Sequence, residues 1–382
     1  MISEIRLKNF KCFKDKNIKI LPLTILAGIN SMGKSSVLES ILLLRESLLS
    51  EKTLLSDQED FPLFDLRLNN QYMRLGTGMD VLCEFSTENI IGIGITDDNK
   101  KIDRRWNVDK STSSSVLSVD RQHISKNEEN RFSSNIFATN NHEYIDFAYI
   151  SADRLGPRSR FDIPDETIDM NHNIGSKGEY AAFYFDSMQS RKIPLDDIAG
   201  DEESKSIAFQ VNKWMGCIAP ETRIRTSVTR DIDAAKLTYY DKNSAKDRRS
   251  INVGFGLTYT FPIVLALLSV KKGGILLLEN PEAHLHPKAQ TMIGKLIAKV
   301  VQCGGQIILE THSDHIINGI RVAIKERMLD NEKMIIDFFS ASQKVENTTP
   351  EITDIYSDKN GKLSNWPKDF LSEWEDNLFQ LL

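Results

Sequence analysis

The sequence predicts an α/β fold, and two segments carry that prediction. Between Leu23 and Leu49 a compact apolar run gives way to a glycine-bounded loop and then to apolar residues at helical spacing. Between Gly274 and Leu309 an aliphatic strand, an amphipathic helix and a second aliphatic strand follow one another at the spacing of a parallel βαβ unit. The chain has 382 residues, 40% hydrophobic and 27% charged, which is ample for a buried core and typical of a globular protein.

Taken in order, Ile2, Ile5 and Leu7 alternate as in a strand, Asn17–Ile20 begins a second, and Leu23–Ala27 is a third, fully apolar one. From Ser35 the residues Val37, Leu38, Ile41, Leu42, Leu48 and Leu49 recur as on a helix face. Tyr72–Leu82 and Asn89–Ile95 read as strands, Asp109–Asn141 as a Ser- and Asn-rich excursion, and Tyr144–Ile150 as a buried strand. Residues 160–250 are polar and predict helix with a late hairpin, in which Lys236–Tyr240 is a strand and Asp241-Lys-Asn243 a turn. Leu257–Val270 is an apolar helix, Gly274–Leu278 a strand, Pro287–Cys303 an amphipathic helix ended by Gly304-Gly305, and Gln306–Leu309 a strand. The last ~50 residues read as a small α/β tail with an aromatic end, Trp366, Phe370, Trp374 and Phe379.

Composition removes several classes. No run approaches the ~18 apolar residues that span a bilayer, so the sequence predicts no membrane protein. The start MISEIRLKNFKCF lacks the apolar core of a signal peptide, and Cys12, Cys83, Cys217 and Cys303 form no C-x-x-C pair; both point to a cytoplasmic protein with reduced thiols. A net charge of −6 excludes a globally basic nucleic-acid coat and leaves only local patches, such as Arg154, Arg158 and Arg160 or Lys246, Arg248 and Arg249, for any DNA contact.

The chemistry begins at Gly28-Ile-Asn-Ser-Met-Gly33-Lys34-Ser35, a complete G-x-x-x-x-G-K-[ST] loop between a strand and a helix. Such a loop aims the N–H groups of Asn30, Ser31, Met32, Gly33 and their neighbours, Ser36 included, at phosphate oxygens in front of a positive helix end. Lys34 would reach the β- and γ-phosphates of a nucleoside triphosphate, and the Ser35 hydroxyl would bind Mg²⁺. The strand Ile275–Leu278 ends in Glu279-Asn280-Pro281-Glu282, and a carboxylate at such a tip is a second candidate ligand for Mg²⁺. The next strand ends in Glu310-Thr311-His312-Ser313, again polar residues at the carboxyl edge of a sheet, where ligands bind in open α/β folds. His284 and His286 sit in a turn before a helix without a third ligand nearby and read as structural or interface residues.

The segments IRLKNFKCF…LTILAGINSMGKSS, ILLLENPEAHLHP and ILETHSDH, in this order, resemble the ABC-type ATPase heads of the SMC, RecF and OLD proteins. With Asn252-Val-Gly-Phe-Gly256 and Trp366-Pro-Lys-Asp-Phe370 the chain resembles single-head bacterial ATPases, similar to anti-phage defence ATPases such as Septu PtuA. The resemblance implies an α/β P-loop NTPase head with a mixed sheet, an inserted α+β lobe and a small C-terminal α/β tail. It divides the chain into 1–50, the lobe with the P-loop; 51–250, the inserted lobe; 251–325, with signature, Walker B and switch histidine; and 326–382, a small C-terminal domain. It also implies a head-to-tail homodimer with ATP sandwiched between the P-loop of one subunit and a signature helix of the other. Gly254 and Gly256 occupy the signature position, although the usual Ser-Gly-Gly is not there.

One departure bears on catalysis. Where such heads carry the glutamate that polarises water, this chain has Asn280, which accepts no proton at neutral pH. Glu282 is the candidate substitute, Glu279 a possible sharer of the role, and His312 the sensor of the γ-phosphate. The function expected from the resemblance is a nucleotide-gated dimeric switch that regulates a separate effector, a nuclease, in anti-phage defence or genome maintenance. A DNA-binding repair ATPase and a non-hydrolysing ATP-bound scaffold are the alternatives. Too little chain follows the His312 strand for a Toprim nuclease of the kind OLD proteins carry.

Overall fold

The aliphatic runs that open and close the sequence argument lie side by side in a computed structural model of the chain, which describes residues 1–53, 65–97, 100–120, 144–164, 174–220, 222–241, 247–341, 350–367, 370 and 381. In chain order the strands are β1 (Ile2–Phe10), β2 (Phe13–Lys19), β3 (Leu23–Gly28), β4 (Leu66–Arg67), β5 (Ile90–Asp97), β6 (Lys100–Asn107), β7 (Val116–Val119), β8 (Ile145–Ile150), β9 (Phe161–Asp162), β10 (Thr222–Thr229), β11 (Ala234–Asp241), β12 (Arg248–Arg249), β13 (Val270–Glu279), β14 (Gln306–Glu310), β15 (Met334–Ser340) and β16 (Glu351–Ile355). The helices are α1 (Lys34–Thr53), α2 (Gly78–Val81), α3 (Ala181–Met188), α4 (Ile207–Ile218), α5 (Phe255–Ser269), α6 (Pro287–Gln302) and α7 (Asp314–Lys325).

The central sheet has the order β16-β15-β3-β14-β13-β8. Its strands β15, β3, β14, β13 and β8 are parallel and β16 is antiparallel, so the sheet is mixed, as expected. The strands are continuous aliphatic runs because both faces are covered. Ile25, Leu276, Leu278, Ile307, Leu309 and Ile336 point into a core shared with α3 to α7. Leu26, Ile275, Leu277, Ile308 and Phe339 point the other way, into a core shared with α1 and the second sheet. That sheet runs β2-β1-β5-β6-β7-β4 and is antiparallel throughout. Removing one of these fully buried leucines to alanine would cost about 2–5 kcal/mol. A third small sheet, β10-β11-β12 with β9 paired to β11, lies in the 160–250 stretch beside α3 and α4.

Several sequence expectations change here. Tyr72–Leu82 is not a strand: Gly76 adopts φ +84°, and Thr77 and Asp80 start the single turn of α2, the Thr77 amide donating to Asp80 Oδ2 at 2.7 Å. The charged segment Lys100–Asn107 is a full strand, its alternation hidden because an arginine, Arg104, takes an inward position next to Trp106. Within the expected excursion 109–141, Val116–Val119 forms β7, and residues 121–143 lie outside the described ones. The late hairpin is present: Lys236–Tyr240 lies in β11, which pairs antiparallel with β10 across Arg230–Ile232 and left-handed Asp233, and also with β12; of the expected turn Asp241-Lys-Asn243, Asp241 ends β11 and the other two lie outside the described residues. The apolar helix ends at Ser269, and Val270 already belongs to β13. In the tail, β15 pairs with the P-loop strand β3, and Phe370 packs on Phe338 with ring centroids 5.3 Å apart. Trp374 and Phe379 fall outside the described residues. Among the described residues no helix is long and apolar enough to cross a membrane.

Candidate nucleotide-binding site

Strand β3 delivers the loop at the carboxyl edge of the sheet, and two backbone features let it curl. Gly28 has φ +124°, and a Cβ there would lie 2.2 Å from the Phe339 carbonyl oxygen. Gly33 has φ +92°, and its Cβ would collide with Cys12 Sγ and the Phe13 ring at the β1–β2 turn. Between them Ser31 is left-handed at φ 64°, Asn30 and Ser31 are exposed, and Met32 packs back on the core of α1. Ser36 is buried in the first turn of α1. Lys34 is only 4% exposed, and its Nζ donates to the carbonyls of Gly28 and Ile29 at 3.0 and 2.8 Å. Burial lowers its pKa and the neighbouring Glu310 opposes that shift. Asn30, Ser31, Gly33, Lys34, Ser35 and Ser36 line a pocket of about 550 Å³. It opens at a helix N-terminus, the geometry of an anion site.

Parallel pairing of β13 with β14 sets Glu279 beside Glu310, and β14 in turn pairs with β3, placing Glu310 opposite Leu26. The Ser35 hydroxyl donates to Glu310 Oε1 at 3.1 Å, and Glu310 lines the same pocket. Burial lifts the Glu310 carboxyl to about 7, against the hydrogen bond from Ser35. Glu279 is held from the other side: the Tyr149 hydroxyl donates to Oε1 and the Ala152 amide to Oε2, each at 3.0 Å. Burial raises its pKa as well, and those two hydrogen bonds oppose the rise.

The turn after β13 is strained and clamped. Asn280 and His284 have positive φ, 42° and 62°. The Arg154 guanidinium donates to the Glu279 and Asn280 carbonyls, each at 2.7 Å, and to that of Ser151 at 2.8 Å. Glu282 reaches across to β14's end, accepting from the Thr311 hydroxyl and the His312 amide at 2.8 Å each. His312 is exposed, and burial of part of its ring together with the Lys34 charge lowers its pKa, against the pull of Glu282. His284 meets Tyr259 edge-to-face with ring centroids 4.7 Å apart, and His286 caps α6 by accepting from the Lys288 amide.

The structure thus brings the loop residues, Glu279, Glu282 and His312 to one sheet edge. Gly254 and Gly256 are elsewhere: they sit at the start of α5 and line no part of the P-loop pocket. There Gly254 faces open space, Gly256 lies against the His284 carbonyl, and Phe255 is 58% exposed. Arg154, read from the sequence as a possible DNA contact, is 2% exposed and belongs to the clamp, because both of its terminal nitrogens bond to main-chain carbonyls. Tyr149 escaped the sequence reading, which also gave Glu310, placed at the ligand edge, no role of its own and did not foresee the clamp of Arg154. The signal for Glu310 was there, since Gln306–Leu309 ends in glutamate as Ile275–Leu278 does.

A family model described as "AAA domain, putative AbiEii toxin, Type IV TA system" matches residues 23–318, and one described as "Protein of unknown function (DUF3696)" matches residues 329–381. No curated protein matches the sequence. Among solved structures the chain is similar to an SMC head bound to the C-terminal winged-helix domain of ScpA, at 15% identity over 93% of this chain and 98% of that one, with a TM-score of 0.50. It is similar too to an SMC head with an extended coiled coil bound to the C-terminal domain of ScpA derived from Pyrococcus furiosus, at 13% identity over 100% and 99% of the two chains, again with a TM-score of 0.50. The SMC-head fold is shared.

Proposed function

The chain belongs to that AAA domain family and has the fold of an SMC-type ATPase head, and from this premise we propose that it binds and hydrolyses ATP with Mg²⁺ as a nucleotide-gated dimeric switch. The observation that carries the reading is the P-loop pocket, where Lys34, Ser35 and an acidic strand end converge at the N-terminus of α1. Bound Mg²⁺ would neutralise developing charge on the phosphates, and the groups that fit it are the Ser35 hydroxyl and one carboxylate of the adjacent strand ends, Glu279 or Glu310. Lys34 would hold the phosphates, His312 would meet the γ-phosphate, and Glu282 would orient and deprotonate the attacking water, since Asn280 cannot.

A second copy would complete the site with the start of α5. Gly254 and the exposed Phe255 and Ile251, which is 47% exposed, form an apolar face next to backbone N–H groups at a helix N-terminus. The closed dimer would license an effector protein, a nuclease in anti-phage defence or genome maintenance; partner-bound SMC heads and the toxin–antitoxin description of the family support a protein partner. Direct DNA binding loses Arg154 as a contact. A non-hydrolysing scaffold keeps one specific observation in its favour, Asn280 at the base position. Sizing of the protein with ATP, with ADP and with neither, each with and without DNA, alongside phosphate release, tests these readings. ATP-dependent dimers with turnover are expected; a nucleotide-independent size with no nucleotide binding would refute the switch, and dimers without turnover would leave the scaffold.

A further inference from the structure

The two glutamates at the strand ends are chemically unequal. Both oxygens of Glu279 are taken, one by the Tyr149 hydroxyl and one by the Ala152 amide. Glu310 is 6% exposed, yet only its Oε1 is engaged, by Ser35; its Oε2 is buried with no hydrogen-bond partner among the described residues. A buried carboxylate oxygen without a donor is costly unless something of positive charge meets it. The Lys34 charge acts on the carboxylate from a distance but donates no hydrogen bond to it, because its Nζ bonds to the Gly28 and Ile29 carbonyls. Glu310 also lines the pocket together with Lys34 and Ser35, whereas Glu279 does not.

We propose that Glu310, with the Ser35 hydroxyl, is the carboxylate that holds the divalent cation of the bound nucleotide, and that Glu279 is a positioning residue behind it. This rests on the ATP reading above and assigns its metal ligand differently from the expectation for the β13 tip. The separation fits: adjacent oxygens around an octahedral Mg²⁺ at 2.0–2.1 Å lie about 3 Å apart, and Ser35 Oγ is 3.1 Å from Glu310 Oε1. One carboxylate, one hydroxyl, phosphate oxygens and waters are the donor set such an ion takes in nucleotide sites. For Glu279 to serve directly it would have to give up its bonds to Tyr149 and Ala152; for Glu310 only the hydroxyl of a fellow ligand has to turn.

The test is calorimetric titration of the full chain with the non-hydrolysable analogue AMP-PNP, in Mg²⁺ and in EDTA, paired with electron paramagnetic resonance of Mn²⁺ added with the analogue. Mg²⁺ should tighten binding to the native protein by about tenfold or more. Glu310→Gln should abolish that gain and the bound-Mn²⁺ signal while keeping the metal-free affinity, and Glu279→Gln should retain both. Full metal dependence in Glu310→Gln, or its loss in Glu279→Gln alone, would overturn the assignment. Absence of AMP-PNP binding to the native chain would instead sink the ATP reading on which it rests. Should Glu310→Gln bind no analogue even in EDTA, Glu310→Asp decides: partial recovery of the metal effect supports the proposal, and none overturns it.

Discussion

The carboxylate of Glu282 holds the strand end that carries His312, with Oε1 accepting from the His312 amide and Oε2 from the Thr311 hydroxyl, each at 2.8 Å. Glutamine can reproduce both bonds, its oxygen accepting from the amide and its NH₂ donating to the hydroxyl. Glu282→Gln therefore isolates the chemistry from the architecture. ATP turnover should fall about a hundredfold, the scale of a lost general base, with nucleotide affinity and melting temperature nearly unchanged. Single-turnover hydrolysis together with nucleotide titration checks this, and undiminished turnover would remove Glu282 as the base.

Lys34 makes its two hydrogen bonds to carbonyls of its own loop, so its ammonium contributes little to packing elsewhere. Lys34→Ala should leave thermal unfolding almost unmoved and weaken ATP binding about 10- to 100-fold, the scale of one or two charge-assisted bonds to phosphate. Titration with a fluorescent ATP analogue reads the difference. Native affinity in the variant would show that the phosphates lie somewhere other than this loop.

Why the sequence revealed the loop but not which glutamate lies beside it follows from what is local. The P-loop and the βαβ unit are written in consecutive residues, and both formed where the periodicity put them. Strand order is not local: β14 lies between β3 and β13, which brings Glu310 next to the loop and sets Glu279 one strand further away. Nor could spacing disclose that β15, beyond the ATPase motifs, is β3's other neighbour. Arg154 illustrates a further limit, since a charged residue near other cations reads as surface until its burial is known.

Asp337 on β15 is buried with neither carboxylate oxygen hydrogen-bonded among the described residues, and burial, with Asp354 adding, pushes its pKa from 3.8 up to about 8 against the pull of Lys16. The folded value lies above the unfolded one, so the folded chain binds this proton more tightly. The stabilisation is complete below about pH 4 and is lost as pH rises toward 8. Asp337→Asn should flatten that part of the stability–pH curve and raise the melting temperature at pH 8.5 by a few degrees, with little gain at pH 5. Thermal scans across pH 5 to 9 test it; an unchanged slope would mean that Asp337 ionises freely in the folded chain.

The Arg154 clamp fixes the carbonyls of Glu279 and Asn280 and should matter to both stability and rate. Arg154→Met keeps the apolar stem but leaves those carbonyls without donors, at a net cost of about 2 kcal/mol. Denaturant unfolding should report that loss. If the clamp positions the strand end, kcat should fall while KM for ATP stays close to native.

Glycines at the two ends of the proposed composite site provide the contrast that separates folding from assembly. At Gly28 the backbone has φ +124° and a Cβ would fall 2.2 Å from a main-chain oxygen of β15, so neither the conformation nor the space accepts alanine. Gly28→Ala should cost several kcal/mol and fail to bind nucleotide because the loop cannot form. At Gly254 the backbone is extended at φ −60°, and an added Cβ meets nothing within 4 Å. Gly254→Glu should therefore fold, melt like the native chain and bind ATP in its own P-loop. If the start of α5 faces the γ-phosphate of a second copy, the new carboxylate repels it, and the ATP-dependent increase in size seen by light scattering disappears. A Gly254→Glu protein that still dimerises on ATP addition would place the dimer contact elsewhere on the head, while Gly254→Ala, neutral and small, should dimerise as the native protein does.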